Sequence, residues 1–449
     1  MTNNESITIL AHPSKIYFEN IKKFLKYKNI NKKNSKIKIY WSTLGIGLSL
    51  SKQSVFDLPR SLLADNKNFR SYKKIFKSEL GIEIKKIDKV PLYISIYLLF
   101  KSIFVLSSIY GNIDRLRSLS ANKVKYGDLI HYSYIKFAYK EKIYFNSFFL
   151  LFLIYKSECV FYNLNSEKNN HGLTDIFLSN YTCYLQHGLP ARFFACNNVQ
   201  SYSIAATKAS RVLKHSLGSY CQNKDWKNYK FLLSTLPKQQ LDVYRQKAKN
   251  DLLRRFSGEI DTAINYMKVS AYSPNNLYKY GMVDGVIFLH DFFDSCDDYS
   301  GNIFYDIYDW AFQTLQFTYQ NNLNFIVKPH PNSVRQSLVY ETKLQKEFPS
   351  VRWLDRNTSN ADIFQNTKSG ISMFGSVFSE IAYHNLVPIA AGSHPADQFE
   401  FTYQPRNKDE YFSLLRDIRN LKPKKNARSK VVDFYVAHNY LNSSNEFYI

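Results

Sequence analysis

Cysteine is scarce in this chain, and the five present (Cys159, Cys183, Cys196, Cys221 and Cys296) are scattered, odd in number and without CxxC spacing. That argues against a disulfide framework or a zinc site and fits a reducing cytoplasm. Long apolar runs are lacking too. Residues 91–111 are interrupted by Lys101 and several serines, and the run at 145–155 is shorter still. Both fall short of the ~20 apolar residues that span a bilayer. Burial is the expected fate of each, with a membrane-facing patch as the alternative. No N-terminal segment has the charged, apolar and small-residue order of a secretory signal. Repeats, low-complexity linkers and nucleic-acid-binding signatures are absent as well, so nucleic acid is not an expected partner.

What is present suits a folded protein. A chain of 449 residues is too long for one ordinary core and accommodates two domains of about 200 residues each. Its 45% hydrophobic and 16% aromatic content are ample for packing. The Tyr and Phe counts, seen with abundant Lys and Asn, fit an A/T-rich genome and carry little functional weight. Charge is more informative. The formal net charge is +23, and the first 150 residues hold 27 Lys/Arg against 10 Asp/Glu. A half so basic attracts an anionic partner, a membrane surface or an anionic acceptor, with a solvated basic surface that has no specific partner as the alternative.

The chain opens with the apolar run Ile7-Thr8-Ile9-Leu10-Ala11, then His12-Pro13, a helix predicted over 14–27 and a strand over 37–41. Strand, helix, strand is the rhythm of a parallel α/β sheet. Residues 52–156 read as mostly helical, with strands expected at 159–162, 182–185 and 201–205. A polar helical stretch over 237–265 leads to a loop at 270–284 with the turn signal Ser273-Pro274-Asn275-Asn276. The domain boundary is expected there. Beyond it, strands at 286–289, 325–327, 351–354, 371–373 and 387–391 alternate with helices at 304–319, 335–348, 360–365 and 375–384. Such a sheet binds ligands at the carboxyl ends of its strands.

Three strand ends are polar directly after an apolar strand: His290-Asp291-Phe292-Phe293-Asp294, Lys328-Pro329-His330-Pro331-Asn332, and Phe374-Gly375-Ser376 through Glu380. Gly375 permits close backbone approach, and Ser376 is placed to cap a helix whose N-terminus suits a phosphate. Ser379 offers a hydroxyl one turn further on, and Glu380 an acceptor for ribose hydroxyls. Prolines on both sides of His330 fix its turn, and Lys328 and His330 are placed to neutralise phosphate charge. His290, Asp291 and Asp294 supply an acid, a base or an acceptor. Asp297-Asp298 lacks a clear ligand set for magnesium and reads as a solvated acidic loop. In the N-terminal half, the segment from Tyr184 to Arg192 offers His187 as a general base and Arg192 as a bidentate anion holder. Asp128, in Gly127-Asp128-Leu129-Ile130-His131, is a rival base.

The order Val327-Lys328-Pro329-His330-Pro331, Ser359-Asn360-Ala361-Asp362-Ile363, Gly375-Ser376 through Glu380 and Val387-Pro388 resembles bacterial capsule and lipopolysaccharide transferases. Among these are the Kdo transferases of capsule synthesis and sialyltransferase-like enzymes, which use CMP-activated ulosonic acids. The Gly127-Asp128-Leu129-Ile130 and His187-Gly188-Arg192 segments resemble N-terminal regions of capsule-biosynthesis proteins. The resemblance implies a GT-B fold, two Rossmann-like domains facing a central cleft. It implies an acceptor-binding domain over 1–270, with a helical insertion, and a nucleotide-sugar domain over 271–425. A tail over 426–449 would pack back on the first domain. It also implies that His330, Pro331 and Ser376 hold the nucleotide phosphate, with Glu380 beside them.

The expected protein is thus a metal-independent glycosyltransferase without a cofactor. It would move a ulosonic acid such as Kdo, pseudaminic or sialic acid from a CMP donor to a surface polysaccharide or lipopolysaccharide. It would be cytoplasmic, or peripheral at the inner face of the inner membrane. Alternatives are a UDP- or GDP-hexose glycosyltransferase, a CDP-polyol phosphotransferase and a catalytically silent scaffold of glycan assembly.

Overall fold

The computed structural model describes residues 5–30, 35–43, 57–180, 182–204, 211–215, 226–259, 270–273, 277–294, 301–441 and 446–448. Asp297-Asp298, the turn at 274–276, Cys221 and Cys296 lie outside them. The chain forms two compact units, residues 1–223 with 444–449, and residues 224–443. Both are Rossmann-like α/β units.

The first unit opens with β1 (Ile7–Ala11), α1 (Lys15–Tyr27) and β2 (Ile37–Trp41), as expected. β1 is buried along its whole length, which is why it reads as a continuous apolar run rather than an alternating one. Ser14 caps α1 by accepting a hydrogen bond from the Tyr17 amide at 3.2 Å. Tyr17, Ile21, Phe24 and Leu25 then form the stripe that packs on the sheet with Ile9, Ile39 and Trp41. α2 (Asp57–Leu80), β3 (Ile84–Lys86), α3 (Leu92–Ser108), α4 (Ile113–Ser118), the hairpin β4 (Ser120–Ala121) and β5 (Val124–Lys125), α5 (Gly127–Ala138) and α6 (Phe148–His171) follow. Then come β6 (Ile176–Ser179), α7 (Leu185–Cys196), β7 (Gln200–Ile204) and β8 (Arg211–His215).

Strands β3, β2, β1, β6 and β7 lie side by side in parallel, and β8 adds antiparallel to β7. Two expected strands are corrected. Residues 159–162 lie within α6, where Cys159, Val160 and Phe161 continue the buried series begun by Phe149, Leu150, Leu153 and Ile154. A short apolar run has no periodicity that separates a buried helix from a strand. Residues 182–185 lead into α7, and the strand is β6, just upstream. None of Cys159, Cys183 and Cys196 is in a disulfide.

The second unit begins with α8 (Tyr229–Ser234) and α9 (Lys238–Phe256), then β9 (Gly285–Phe288), α10 (Ile307–Gln320), β10 (Phe325–Lys328), α11 (Arg335–Glu347) and β11 (Arg352–Trp353). α12 (Asn360–Gln365), β12 (Ser369–Ser372), α13 (Val377–Tyr383), β13 (Val387–Ala390), α14 (Lys408–Arg416) and α15 (Ala427–Tyr440) complete it. Its five strands are all parallel in the order β11-β10-β9-β12-β13. Every strand expected here is present, each within two residues of its expected ends.

The boundary lies at 223/224, ahead of the loop at 270–284. The reason is packing. Trp226, Tyr229, Ala248 and Leu252 share one core with Phe378, Val431, Tyr435 and Val436, so α8 and α9 belong with α13 and α15. α15, expected in a tail on the first domain, is instead part of this core. The final strand, β14 (Glu446–Tyr448), does join the first unit, pairing antiparallel with β8.

Candidate functional site

A doubly wound sheet opens a crevice where neighbouring strands send their connections in opposite directions. In the second unit that point lies between β9 and β12, because β10 and β11 extend to one side of β9 and β12 and β13 to the other. His290 follows β9, His330 follows β10, and Gly375-Ser376 follow β12. The three expected loops therefore converge. The His290 ring hydrogen-bonds the Phe374 carbonyl across the switch point and lies parallel to the His330 ring, with centroids 5.8 Å apart.

Gly375 has φ +114°, and a Cβ there would sit 3.1 Å from two atoms of the His290 ring. Both the backbone and the neighbouring ring require glycine. Arg356 steadies the His330 loop, donating to the His330 carbonyl at 3.0 Å and to Glu341 at 2.8 Å.

Several expected roles change. His330 is held down to about 4 by burial and by His290, so at neutral pH it is an uncharged imidazole and not a phosphate-neutralising cation. Lys328 is lowered to about 8 by burial. Its ammonium donates to the Thr358 carbonyl and to Asn360 Oδ1, which ties β10 to the start of α12 instead of facing a ligand. Asp291 accepts from the Phe293 and Val334 amides at 2.9 and 2.6 Å and from the Ser337 hydroxyl at 3.1 Å. Both its oxygens are engaged in fixing the loop after His330.

Glu380 is likewise occupied. Its oxygens accept from Arg255, from the Tyr272 hydroxyl at 2.8 Å and from Asn360 Nδ2 at 3.0 Å. It is the buried hub joining α9, α12 and α13, not a ribose acceptor; a buried charge must be paired in this way. Ser376 makes no side-chain cap; its hydroxyl accepts from Arg255 at 3.1 Å. Ser379 is buried in α13. The surface left at the switch point is formed by His290, His330, Pro331, Gly375, Ser376 and Arg255. Arg255 was not anticipated, since it stands 121 positions from Ser376 in a helix rich in basic residues.

The first unit repeats the arrangement. β2 and β3 extend to one side of β1, β6 and β7 to the other, so the switch point lies between β1 and β6. His12 follows β1, Asn180 follows β6, and His187 lies in the first turn of α7. The Asn180 amide donates to His187 Nδ1 at 3.3 Å, and the His12 and His187 ring centroids are 5.5 Å apart. His12 Nδ1, His187 Nε2, both polar atoms of the Asn180 side chain and Gln186 Nε2 are buried without a hydrogen-bond partner among the described residues. Buried polar groups of this kind are uncommon, and their concentration at a sheet's ligand edge marks a polar site.

Burial lowers His12 to about 4, and burial together with His12 holds His187 well below its usual range. Both are neutral at neutral pH. His187 Nδ1 accepts from the Asn180 backbone amide, so its ring proton sits on Nε2, and His12 is the imidazole left with a nitrogen that can accept a proton. His187 is 2% exposed, whereas His12 is half-buried, so a substrate meets His12 first. The residues missed in this unit were His12 itself and the buried Thr43 and Asp88 with the half-buried Lys156. Lys156 donates to Asp88 at 2.7 Å, and the Thr43 hydroxyl donates to the same carboxylate.

Asp128 and Arg192 are corrected together. They form a buried bidentate pair, both contacts 2.8 Å, and Arg192 also donates to the Lys125 carbonyl. Burial pushes Asp128 up, but the Arg192 hydrogen bonds and charge outweigh it and hold the carboxyl below its usual range. Asp128 is thus neither poised as a base nor free, and Arg192 is matched internally instead of awaiting an acceptor. Among the described residues no group of three or more His, Cys, Asp or Glu is arranged to hold a metal ion.

No known family profile matches the chain, and no curated protein matches it. Solved structures do. A beta-Kdo 2,7 transferase, KpsC of Thermosulfurimonas dismutans, is 12% identical over 64% of this chain and 82% of its own, with a TM-score of 0.34. The UDP-GlcNAc 2-epimerase of Methanocaldococcus jannaschii, solved with UDP-GlcNAc and UDP, is 10% identical over 95% of this chain and 97% of its own, with a TM-score of 0.27. A UDP-glucose:anthocyanidin 3-O-glucosyltransferase solved with UDP is 9% identical over 97% and 93%, with a TM-score of 0.26. Likenesses this weak do not bear on activity, which has to be read from the residues.

Proposed function

We propose that this chain is a glycosyltransferase in which the second unit holds a nucleotide-sugar donor and the first holds the acceptor and the base. The observation that carries the reading is that each sheet places a pair of neutral histidines at its topological switch point. In the second unit, Arg255 brings its charge to Ser376 at the end of β12 while bonding Glu380, and the His330 N–H is a neutral donor to a phosphate. In the first unit, His12 takes the proton of an acceptor hydroxyl, with His187 behind it. The transferred sugar's anomeric carbon gains the acceptor oxygen and loses the nucleotide, which departs as the phosphate-terminated leaving group.

The donor we favour is CMP-linked and the sugar a ulosonic acid, on the strength of the Lys328–Pro331 and Gly375–Glu380 motifs. The acceptor would be a surface polysaccharide or lipopolysaccharide met at the inner face of the membrane, and turnover would need no divalent metal. A thermal-shift panel of CMP, CDP, UDP, GDP and dTDP tests the donor. Selective stabilisation by CMP supports a ulosonic-acid donor, and selectivity for UDP excludes it. No response to any nucleotide would overturn the transferase reading. Phosphate retained in the transferred group would instead identify a polyol-phosphate transferase.

A further inference from the structure

Residues 91–111 were expected to be buried, and the structure places them otherwise. Tyr93, Ile96, Tyr97, Phe100, Ile103 and Phe104 on α3 are between 43% and 74% exposed. Their spacing of three and four residues puts them along one side of the helix. The opposite side is packed. Leu98 and Ser102 are buried, the Ser95 and Tyr155 hydroxyls are hydrogen-bonded, and Lys101 reaches Glu158 of α6 at 2.7 Å. The helix's only charge is therefore paired with α6, and its outward side is apolar from Tyr93 to Phe104. A contiguous apolar strip of this kind is a binding surface on a folded protein.

We propose that the outward face of α3 seats this chain on an anionic lipid leaflet, lying in the interface with its axis along the membrane plane. Charge identifies the occupant. Between residues 85 and 142 there are 11 Lys/Arg and 4 Asp/Glu. Of those acids, Asp88, Asp128 and Glu141 are buried, which leaves Asp114 as the exposed one. Arg115 sits at the C-terminal end of α3, donating to the Ser108 carbonyl. Lys140 and Lys142 lie over the Tyr144 ring, next to Phe145, which packs on Tyr110. Lys89 flanks the other end.

An apolar strip with tyrosines along it and cations at its ends matches the acyl boundary and the anionic headgroups of one leaflet. No described helix is long and apolar enough to cross a membrane, and α3 is held flat on α6 by its inner face. The surface shares no residue with either switch point and stands whether or not the transferase reading does.

The test is co-sedimentation of the full chain with vesicles of phosphatidylcholine alone or mixed with phosphatidylglycerol. Binding is expected to the mixed vesicles, to weaken with salt, and to fall at least tenfold in Phe100→Glu/Phe104→Glu, whose side chains are exposed. Phe231→Glu, exposed on the second unit, should leave binding unchanged. Should the double variant fold poorly, Phe104→Trp reports directly: its fluorescence should be quenched by brominated lipid. Failure of the wild type to bind mixed vesicles, or an unquenched Phe104→Trp variant, overturns the proposal. So does a dimer in solution that Phe100→Glu/Phe104→Glu dissolves while vesicle binding persists, which would make the face a contact between copies.

Discussion

The two sheets carry the same device in different surroundings. Each has a histidine after its first strand and a second histidine beside it, at 5.5 Å in the first unit and 5.8 Å in the second. In the second unit the charged side chains beside the pair are engaged: Asp291, Lys328 and Glu380 all bond within the domain. What remains at the surface is a rigid ledge with one arginine, suited to holding a ligand. In the first unit the neighbours are unsatisfied, with Asn180, Gln186 and both imidazoles retaining polar atoms that find no partner among the described residues. A preorganised ledge favours binding, and a neutral imidazole among unpaired polar groups favours proton transfer. The histidine pair alone does not distinguish the roles; its surroundings do.

The largest expected effect separates the two pairs by kinetics. His12→Ala should lower turnover by about 10²–10⁴-fold, the usual worth of a positioned base, and leave the donor KM nearly unchanged. His330→Ala should do the reverse. Equal losses in turnover from both would erase the division between the sheets.

Stability comes next. Asp128→Asn strands the buried Arg192 at a cost of about 3–5 kcal/mol, and Glu380→Gln deprives the half-buried Arg255 of its carboxylate at a smaller cost. Denaturant unfolding should show each substitution lowering the transition of its own unit. Unchanged stability with lost activity for Asp128→Asn would reinstate Asp128 as a base.

Acid sensitivity should be shared. His12 and His330 have folded values near 4, and His394 lies at about 3, all below the unfolded value of about 6.5. The unfolded chain then binds more protons as pH falls, so stability is full above about 6.5 and declines from there towards 4. A thermal midpoint flat between pH 7 and about pH 4.5 would contradict these assignments. The smallest effect is Gly375→Ala, about 1–3 kcal/mol of backbone strain, seen as weaker nucleotide binding through displacement of His290.

The sequence was most legible where strands are buried on both faces. β1, β9, β10 and β13, buried along their whole length, announce themselves as apolar runs between turn signals, and the convergence of 290, 330 and 375 follows from strand order. It was least legible where the same apolar signal belonged to helices, in α6 and α7. Charge pairing was invisible for a related reason. Asp128 and Arg192 are 64 residues apart, and Glu380 and Arg255 are 125 apart, so nothing local tells a matched charge from an available one. His12 lay in plain view after β1, but a lone histidine before a proline carries no weight until Asn180 and His187 stand beside it. The exposure of residues 91–111 was hidden because hydrophobicity says that a surface avoids water, not what covers it.

The most direct test of the account is calorimetric titration of CMP into the wild type, His330→Ala and His12→Ala. We expect His330→Ala to weaken CMP binding at least tenfold and His12→Ala to leave it within about twofold, a gap of at least about 1 kcal/mol. Equal weakening by both, or loss confined to His12→Ala, would contradict a donor site at the switch point of the second sheet.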